Sequence, residues 1–158
     1  MTLTVASIDP GATGAFARWD GLSVGLLDMP VTGPDVNGHA VAELLRGWDP
    51  EVVVVETQQA MPKQGVASTF RTGANYGVIL GVIACLGLPV RHVRAAEWTK
   101  ALHVGSDKEK HRRLAMDTYP TLEPQLRRVK DHNRADALLL AHWYVTCARQ
   151  PATDKESA

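Results

Sequence analysis

A mixed α/β sheet carrying helices is predicted for this chain of 158 residues by three features. The first is a trio of strand-like segments at the start, two of them joined through Asp20-Gly21, a dipeptide suited to a hairpin turn. The second is the run Val52-Val53-Val54-Val55, whose unbroken apolar character suits a strand buried on both faces. The third is the alternation of helical and strand-like patterns around and after it, which favours parallel pairing with helices on the sheet.

Taken in order, residues 2–8, 14–19 and 22–28 read as strands. Residues 29–37 hold Pro30, Gly33 and Pro34 and are expected as a loop. Val41, Leu44, Leu45 and Trp48 make a helical stripe over residues 39–48. Residues 52–56 form the valine strand, and 57–65, with Pro62 and Gly65, a polar loop. Residues 67–86 read as a long helix in which Gly73, Gly77 and Gly81 share one face. Glycine costs about 1 kcal/mol per helical site, so three in register predict a close approach of sheet or partner subunit. Residues 88–93 read as a strand, 95–102 and 108–119 as helices, and 133–148 as a final helix. Residues 1–149 are expected to be one domain, with 150–158 a disordered polar tail.

Composition narrows the class. Hydrophobic residues make up 45% of the chain, enough for a core and too many for a disordered segment. The longest apolar stretch, 78–90, is shorter than the roughly 18 residues that span a bilayer. The N-terminus lacks a basic region and cleavage site, so neither membrane insertion nor secretion is expected, and a cytoplasmic location is. Cys85 and Cys147 are expected as buried, reduced thiols, and no Cys/His spacing suggests zinc. Net charge is zero, but residues 1–56 carry two basic and eight acidic side chains, and residues 91–134 carry eleven basic and six acidic. That polarity suits a substrate that brings phosphates to metals.

Three acids stand out. Asp9 ends the first strand and opens Asp9-Pro10-Gly11-Ala12-Thr13-Gly14; Glu56 ends the valine run; Asp136 lies in Arg134-Ala135-Asp136-Ala137-Leu138 at the start of the last helix. A carboxylate at the tip of a buried strand is costly unless something positive meets it. Brought together, the three would form a hard-cation site with oxygen ligands. His132 lies one turn before Asp136 on the same helix face, with Asp131 beside it.

Ser7-Ile8-Asp9-Pro10-Gly11, Val55-Glu56 and Arg134-Ala135-Asp136-Ala137-Leu138 resemble motifs of the RuvC-type Holliday junction resolvases, which have the ribonuclease-H-like fold. Residues 60–73 and Lys130-Asp131-His132-Asn133-Arg134-Ala135-Asp136 look most like the RuvC-like resolvases of phages. The resemblance runs over residues 3–148. It implies a five-stranded mixed sheet, three strands antiparallel and the rest parallel, with helices on both faces. It also implies a metal-dependent endonuclease that cuts four-way DNA junctions by paired nicks, as a homodimer, in a bacterial or phage-infected cell. Two Mg²⁺ or Mn²⁺ ions per site would be held by Asp9, Glu56 and Asp136. Whether Asp131, His132 or neither is the fourth ligand is left open, because the position that carries an acid in many relatives is Asn133. His132 is expected beside the scissile phosphate, and Lys100 and Lys108 as the basic residues that hold phosphate near the site, Lys100 also as a catalytic residue. Lys63, Arg71, Lys100, Lys108, Lys110, Arg112 and Arg113 are the expected DNA contacts.

Three rival readings bear on the same residues. Asp9-Pro10-Gly11-Ala12-Thr13-Gly14 looks like the phosphate-cradling hairpin of actin-type and sugar-kinase phosphotransferases, but that fold needs two such domains. A YqgF-like RNA-processing nuclease shares the acidic triad. A non-cleaving protein that binds branched DNA is the third, invited by Asn133.

Overall fold

Side-chain alternation in two neighbouring strands organises the molecule. The computed structural model describes residues 3–149. Strands β1 (Val5–Asp9), β2 (Ala15–Trp19) and β3 (Val24–Asp28) form an antiparallel meander. The segment after it, expected as a loop, closes into a small hairpin of β4 (Val31–Thr32) and β5 (Asp35–Val36). Gly33, at φ 61°, supplies the left-handed turn between them. Helix α1 (Gly38–Trp48) follows, its first turn capped by the Asn37 side chain, which accepts from the Ala40 amide. Strand β6 (Val52–Glu56) pairs parallel to β1, and β7 (Val90–Val93) parallel to β6. The sheet order is β3-β2-β1-β6-β7, the mixed five-stranded sheet expected from the sequence.

Helix α2 (Val66–Cys85) runs between β6 and β7. Helices α3 (Ala95–Ala101), α4 (Lys108–Thr118), α5 (Glu123–Leu126) and α6 (His132–Trp143) follow β7. Short 3-10 turns at Pro120–Leu122 and Val129–Asp131 join α4, α5 and α6. These turns and α5 carry no strong periodic pattern and were not expected. The last helix changes to a wider π-type turn at Tyr144–Ala148.

Each face of the sheet has its own core. Val5, Val52 and Val54 pack with Trp98, Ala115 and the α6 residues Ala135, Ala137 to Ala141 and Trp143. Ala6, Ile8, Val53 and Val55 pack with Val41 and Leu45 of α1 and Ile79 and Ile83 of α2. Helices therefore cover both faces, and the valine run is buried from both sides, as its composition demands. Ser7 is the polar exception in β1; its hydroxyl donates to the Ala137 carbonyl at 2.6 Å and ties β1 to α6.

The expectation of buried thiols fails, and of the two partners expected for the glycine face of α2 the sheet is not the one. Cys85 and Cys147 are exposed rather than buried, because each falls on the outward side of the end of its helical segment. Among the described residues no neighbour packs against the glycine face of α2: a Cβ built at Gly73, Gly77 or Gly81 meets no atom within 4 Å. The sheet lies instead against the opposite face, through Ile79 and Ile83. The tail from residue 150 lies outside the described residues.

Candidate active site

Asp9 and Glu56 come together through strand parity. Val5, Ser7 and Asp9 alternate to the α6 face of β1; Val52, Val54 and Glu56 do the same on β6. The strands pair in parallel register from Val5 with Val52 to Ile8 with Val55. One step further, the same register sets Asp9 beside Glu56, about 4.8 Å away between strand axes. Helix α6 crosses this face and carries Asp136, which is 3% exposed and lies in the second turn rather than the first.

The three carboxylates sense one another. Burial, then Asp136, then Glu56 push the Asp9 carboxyl well above the usual range, and Lys108 pulls it back in part. Burial also raises Glu56, against a hydrogen bond from Trp98 that lowers it; Asp136 raises it further. Lys108 is the cation among them. Its ammonium bonds Asp136 Oδ2 while its side chain stays 54% exposed. Burial alone would lower the Lys108 pKa, but the pull of Asp136, Asp9 and Glu56 outweighs it and raises it.

Two aromatic residues complete the site, and the sequence reading missed both. The Trp98 indole N–H donates to Glu56 Oε2 at 2.7 Å. His111 Nδ1 lies 2.6 Å from Asp136 Oδ1, and its Nε2 lies 2.8 Å from the Gly105 carbonyl. With an acceptor on each ring nitrogen, His111 satisfies both only as the imidazolium. Burial favours the neutral ring, but the bonds to Asp136 and Gly105 outweigh it and raise the His111 pKa. The available signal was helical spacing: Lys108, His111, Arg112 and Ala115 share the inward side of α4, and only the apolar member was easy to assign.

Other expected site residues lie elsewhere. Asp131 is buried against Arg128, which reaches it through Nε and Nη2 and through its backbone amide. That bidentate pair holds the turn before α6 and lowers the Asp131 carboxyl, so the side chain is spent on Arg128 rather than on the acidic cluster. His132 opens α6 with Nδ1 3.1 Å from the Val129 carbonyl. Asn133 donates to the Thr13 carbonyl and so pins the β1–β2 turn to α6. Lys100 is exposed in the last turn of α3, and the lysine whose charge reaches Asp9 and Glu56 is Lys108. Arg112 is a correction. It is 6% exposed and donates to the carbonyls of Leu126 and Arg127 and to Glu109, so it locks α4 to α5 and presents no charge to a ligand. Lys63, Arg71, Lys110 and Arg113 are exposed, as a phosphate contact requires.

Two clefts flank the β1–β2 turn and share Ala12 and Thr13. One, about 410 Å³, is lined by Gln58, Ser68, Arg71 and Thr72. The other, about 540 Å³, is lined by Asp28, Arg128, Lys130 and His132.

The donor set suits a hard divalent cation: three carboxylates, two of them raised by burial first and then by the neighbouring acids, with an ammonium drawn among them as a positive charge. As the side chains stand, however, no three His, Cys, Asp or Glu residues among those described converge closely enough to hold an ion. Both Asp136 oxygens are occupied, by Lys108 and His111, so binding requires Lys108 to yield its place.

No family model matches the chain. It is 32% identical over 91 residues to the chloroplastic Holliday junction resolvase MOC1 of Chlamydomonas reinhardtii; that stretch is 56% of this chain and a tenth (10%) of the curated relative's length. Among solved structures, RuvC of Thermus thermophilus superposes with a TM-score of 0.64 at 21% identity, covering 92% of this chain and 97% of that one. The same protein in complex with a Holliday junction superposes with a TM-score of 0.60 at 19% identity, covering 90% and 94%. The fold is therefore that of RuvC, the ribonuclease-H-like fold expected from the sequence.

Proposed function

We propose that this chain is a divalent-metal-dependent nuclease that resolves four-way DNA junctions by paired nicks. The observation that carries this reading is the parity of β1 and β6, which aligns Asp9 with Glu56 under Asp136 in a fold shared with junction resolvases. The likeness to the Chlamydomonas resolvase supports the same substrate.

Asp9, Glu56 and Asp136 would hold Mg²⁺ or Mn²⁺, two ions per site. Such ions supply Lewis acidity toward the attacking water and the leaving 3′ oxygen. The chain's own groups do the rest. Trp98 and His111 hold Glu56 and Asp136, and Lys108, half-exposed, would meet a phosphate oxygen when it leaves Asp136. His132, on the wall of the larger cleft, would orient the strand or relay a proton. Arg71 on the other cleft, with Lys63, Lys100, Lys110 and Arg113, would contact phosphates. A junction has two-fold symmetry, so two nicks call for two sites related in the same way. The open glycine face of α2, with Phe70 78% exposed beside it, would be the surface for a second copy of the chain.

A non-cleaving junction-binding protein is the second reading, favoured by the occupancy of Asp136 by Lys108 and His111. A nicking assay on a synthetic four-way junction with Mg²⁺ separates the two, with linear duplex, flap and RNA as parallel substrates. Paired nicks are expected on the junction. Asp9→Asn is expected to keep junction binding and lower cleavage by at least about 100-fold. Junction binding without any nicking by the unaltered protein favours the second reading, and preferential cutting of RNA would point to RNA processing.

A further inference from the structure

We propose that Trp98 and His111 form a positioning bridge that sets the distance and orientation between the Glu56 and Asp136 carboxylates. This rests on the reading of those acids as a divalent-ion site. The two rings meet edge to face, with centroids 5.1 Å apart and planes at 61°. Each is nearly sealed, Trp98 at 1% and His111 at 2% exposure. Each directs its polar atom at a different carboxylate, Trp98 Nε1 to Glu56 and His111 Nδ1 to Asp136. The far side of the bridge is fixed too. His111 Nε2 is anchored to the Gly105 carbonyl, and Gly105 sits at φ 60° in the connection between α3 and α4.

The chemistry gives this arrangement a purpose beyond filling the core. A buried indole N–H needs an acceptor, and a carboxylate at the end of a strand has rotamer freedom unless a donor removes it. Trp98 engages only Oε2 of Glu56, and among the described residues Oε1 accepts no hydrogen bond, so one oxygen stays available as a ligand. His111 takes Oδ1 of Asp136 and leaves Oδ2 to the ammonium of the half-exposed Lys108, the partner an arriving cation can replace. Groups that orient metal-binding carboxylates in this way typically change metal affinity by 10–100-fold when removed. Because the rings touch, displacement of one transmits to the other, and the two acids move as a unit.

The test is Trp98→Phe, which keeps an aromatic ring and removes the N–H. Its Mn²⁺ affinity, read from the spin-resonance signal of free Mn²⁺, is expected to fall about tenfold or more, with the protein still folded by circular dichroism. Unchanged Mn²⁺ affinity, with or without lower thermal stability, would make Trp98 a core residue only and overturn the bridge. Fluorotryptophan labelling of the unaltered protein gives a second measurement that does not depend on how the variant folds. Of the resonances from Trp19, Trp48, Trp98 and Trp143, that of Trp98 is expected to shift on Mg²⁺ titration, and a stationary Trp98 signal would also overturn the bridge. The two readings separate cleanly. A Trp98 effect on Mn²⁺ in a protein that cuts no junction keeps the bridge and removes the nuclease. Junction cutting with no Trp98 effect does the reverse. Failure of the unaltered protein to bind Mn²⁺ at all removes both.

Discussion

At the scale of single residues, the site depends on a turn with no spare room. A Cβ built at Gly14 would lie 2.0 Å from the Asp9 carbonyl oxygen, which is backbone and cannot step aside. Gly14 also donates to the Gly11 carbonyl at 3.0 Å, and Gly11 adopts φ 115°. Gly14→Ala is therefore expected to cost about 1–3 kcal/mol in urea denaturation and to shift Asp9, so cleavage should fall by more than stability alone explains. Neighbouring arginines on α4 make a second contrast. Arg112 is buried on the carbonyls of Leu126 and Arg127, whereas Arg113 is exposed. Arg112→Gln should lower stability by about 2–3 kcal/mol and leave the salt dependence of junction binding unchanged. Arg113→Gln should do the opposite, reducing the slope of log affinity against log salt by about 1. Binding isotherms across salt concentrations check both, and a reversed pattern would mean that Arg112 leaves its buried site on DNA.

At the scale of elements, α2 has two unlike faces. Asn75, Ile79 and Ile83 are buried, and Asn75 Oδ1 accepts the Val36 amide at 2.9 Å, fastening α2 to the β4–β5 hairpin. The opposite face presents Phe70, Gly73, Gly77 and Gly81 to open space. Glycine in a helix with nothing pressing on it is destabilising by about 0.5–1 kcal/mol relative to alanine. Gly77→Ala should therefore stabilise the isolated chain by that amount at low concentration. Pairing of this face with a second copy would make the same methyl group intrude, and the dimer should weaken. Unfolding at nanomolar protein and sedimentation at micromolar protein read the two effects separately. A rise in stability with no change in self-association would move the dimer contact off α2.

At the scale of the whole molecule, the acidic cluster governs stability against pH. Asp9 and Glu56 are held above the ordinary carboxylate range, so the folded state keeps protons that the unfolded chain releases. Without metal, stability falls as pH rises from about 4 through those raised values. His111 acts in the same sense: its contribution is complete below about pH 6.5 and is lost as pH climbs through its raised folded value. Asp28 and Asp131, lowered by Arg134 and Arg128, act at the other end. Their stabilisation is present above about pH 3.9 and disappears as pH falls through their lowered values. A divalent cation relieves the repulsion only where the acids are ionised. The gain in melting temperature from millimolar Mg²⁺ should then be larger at about pH 8 than at about pH 5.5. A gain independent of pH would place the bound ion away from Asp9 and Glu56.

Local pattern was enough for much of this protein. The hairpin at Asp20-Gly21, the valine strand and the long α2 follow from turn chemistry and hydrophobic period; Asp9 and Glu56 could be singled out because a charge at the end of an apolar run is costly, and Asp136 because it stands at the start of an apolar helix. What local pattern leaves open is partnership. The register that sets Asp9 beside Glu56 joins segments 47 residues apart, as in Val5 with Val52, and the fates of Arg112, Asp131, Trp98 and His111 turn on atoms supplied by distant segments. An arginine, an aspartate or a buried aromatic looks the same in a sequence whether it meets water, a carbonyl or a carboxylate. Only folding decides, because desolvation and hydrogen bonding depend on which groups the chain brings within about 3 Å.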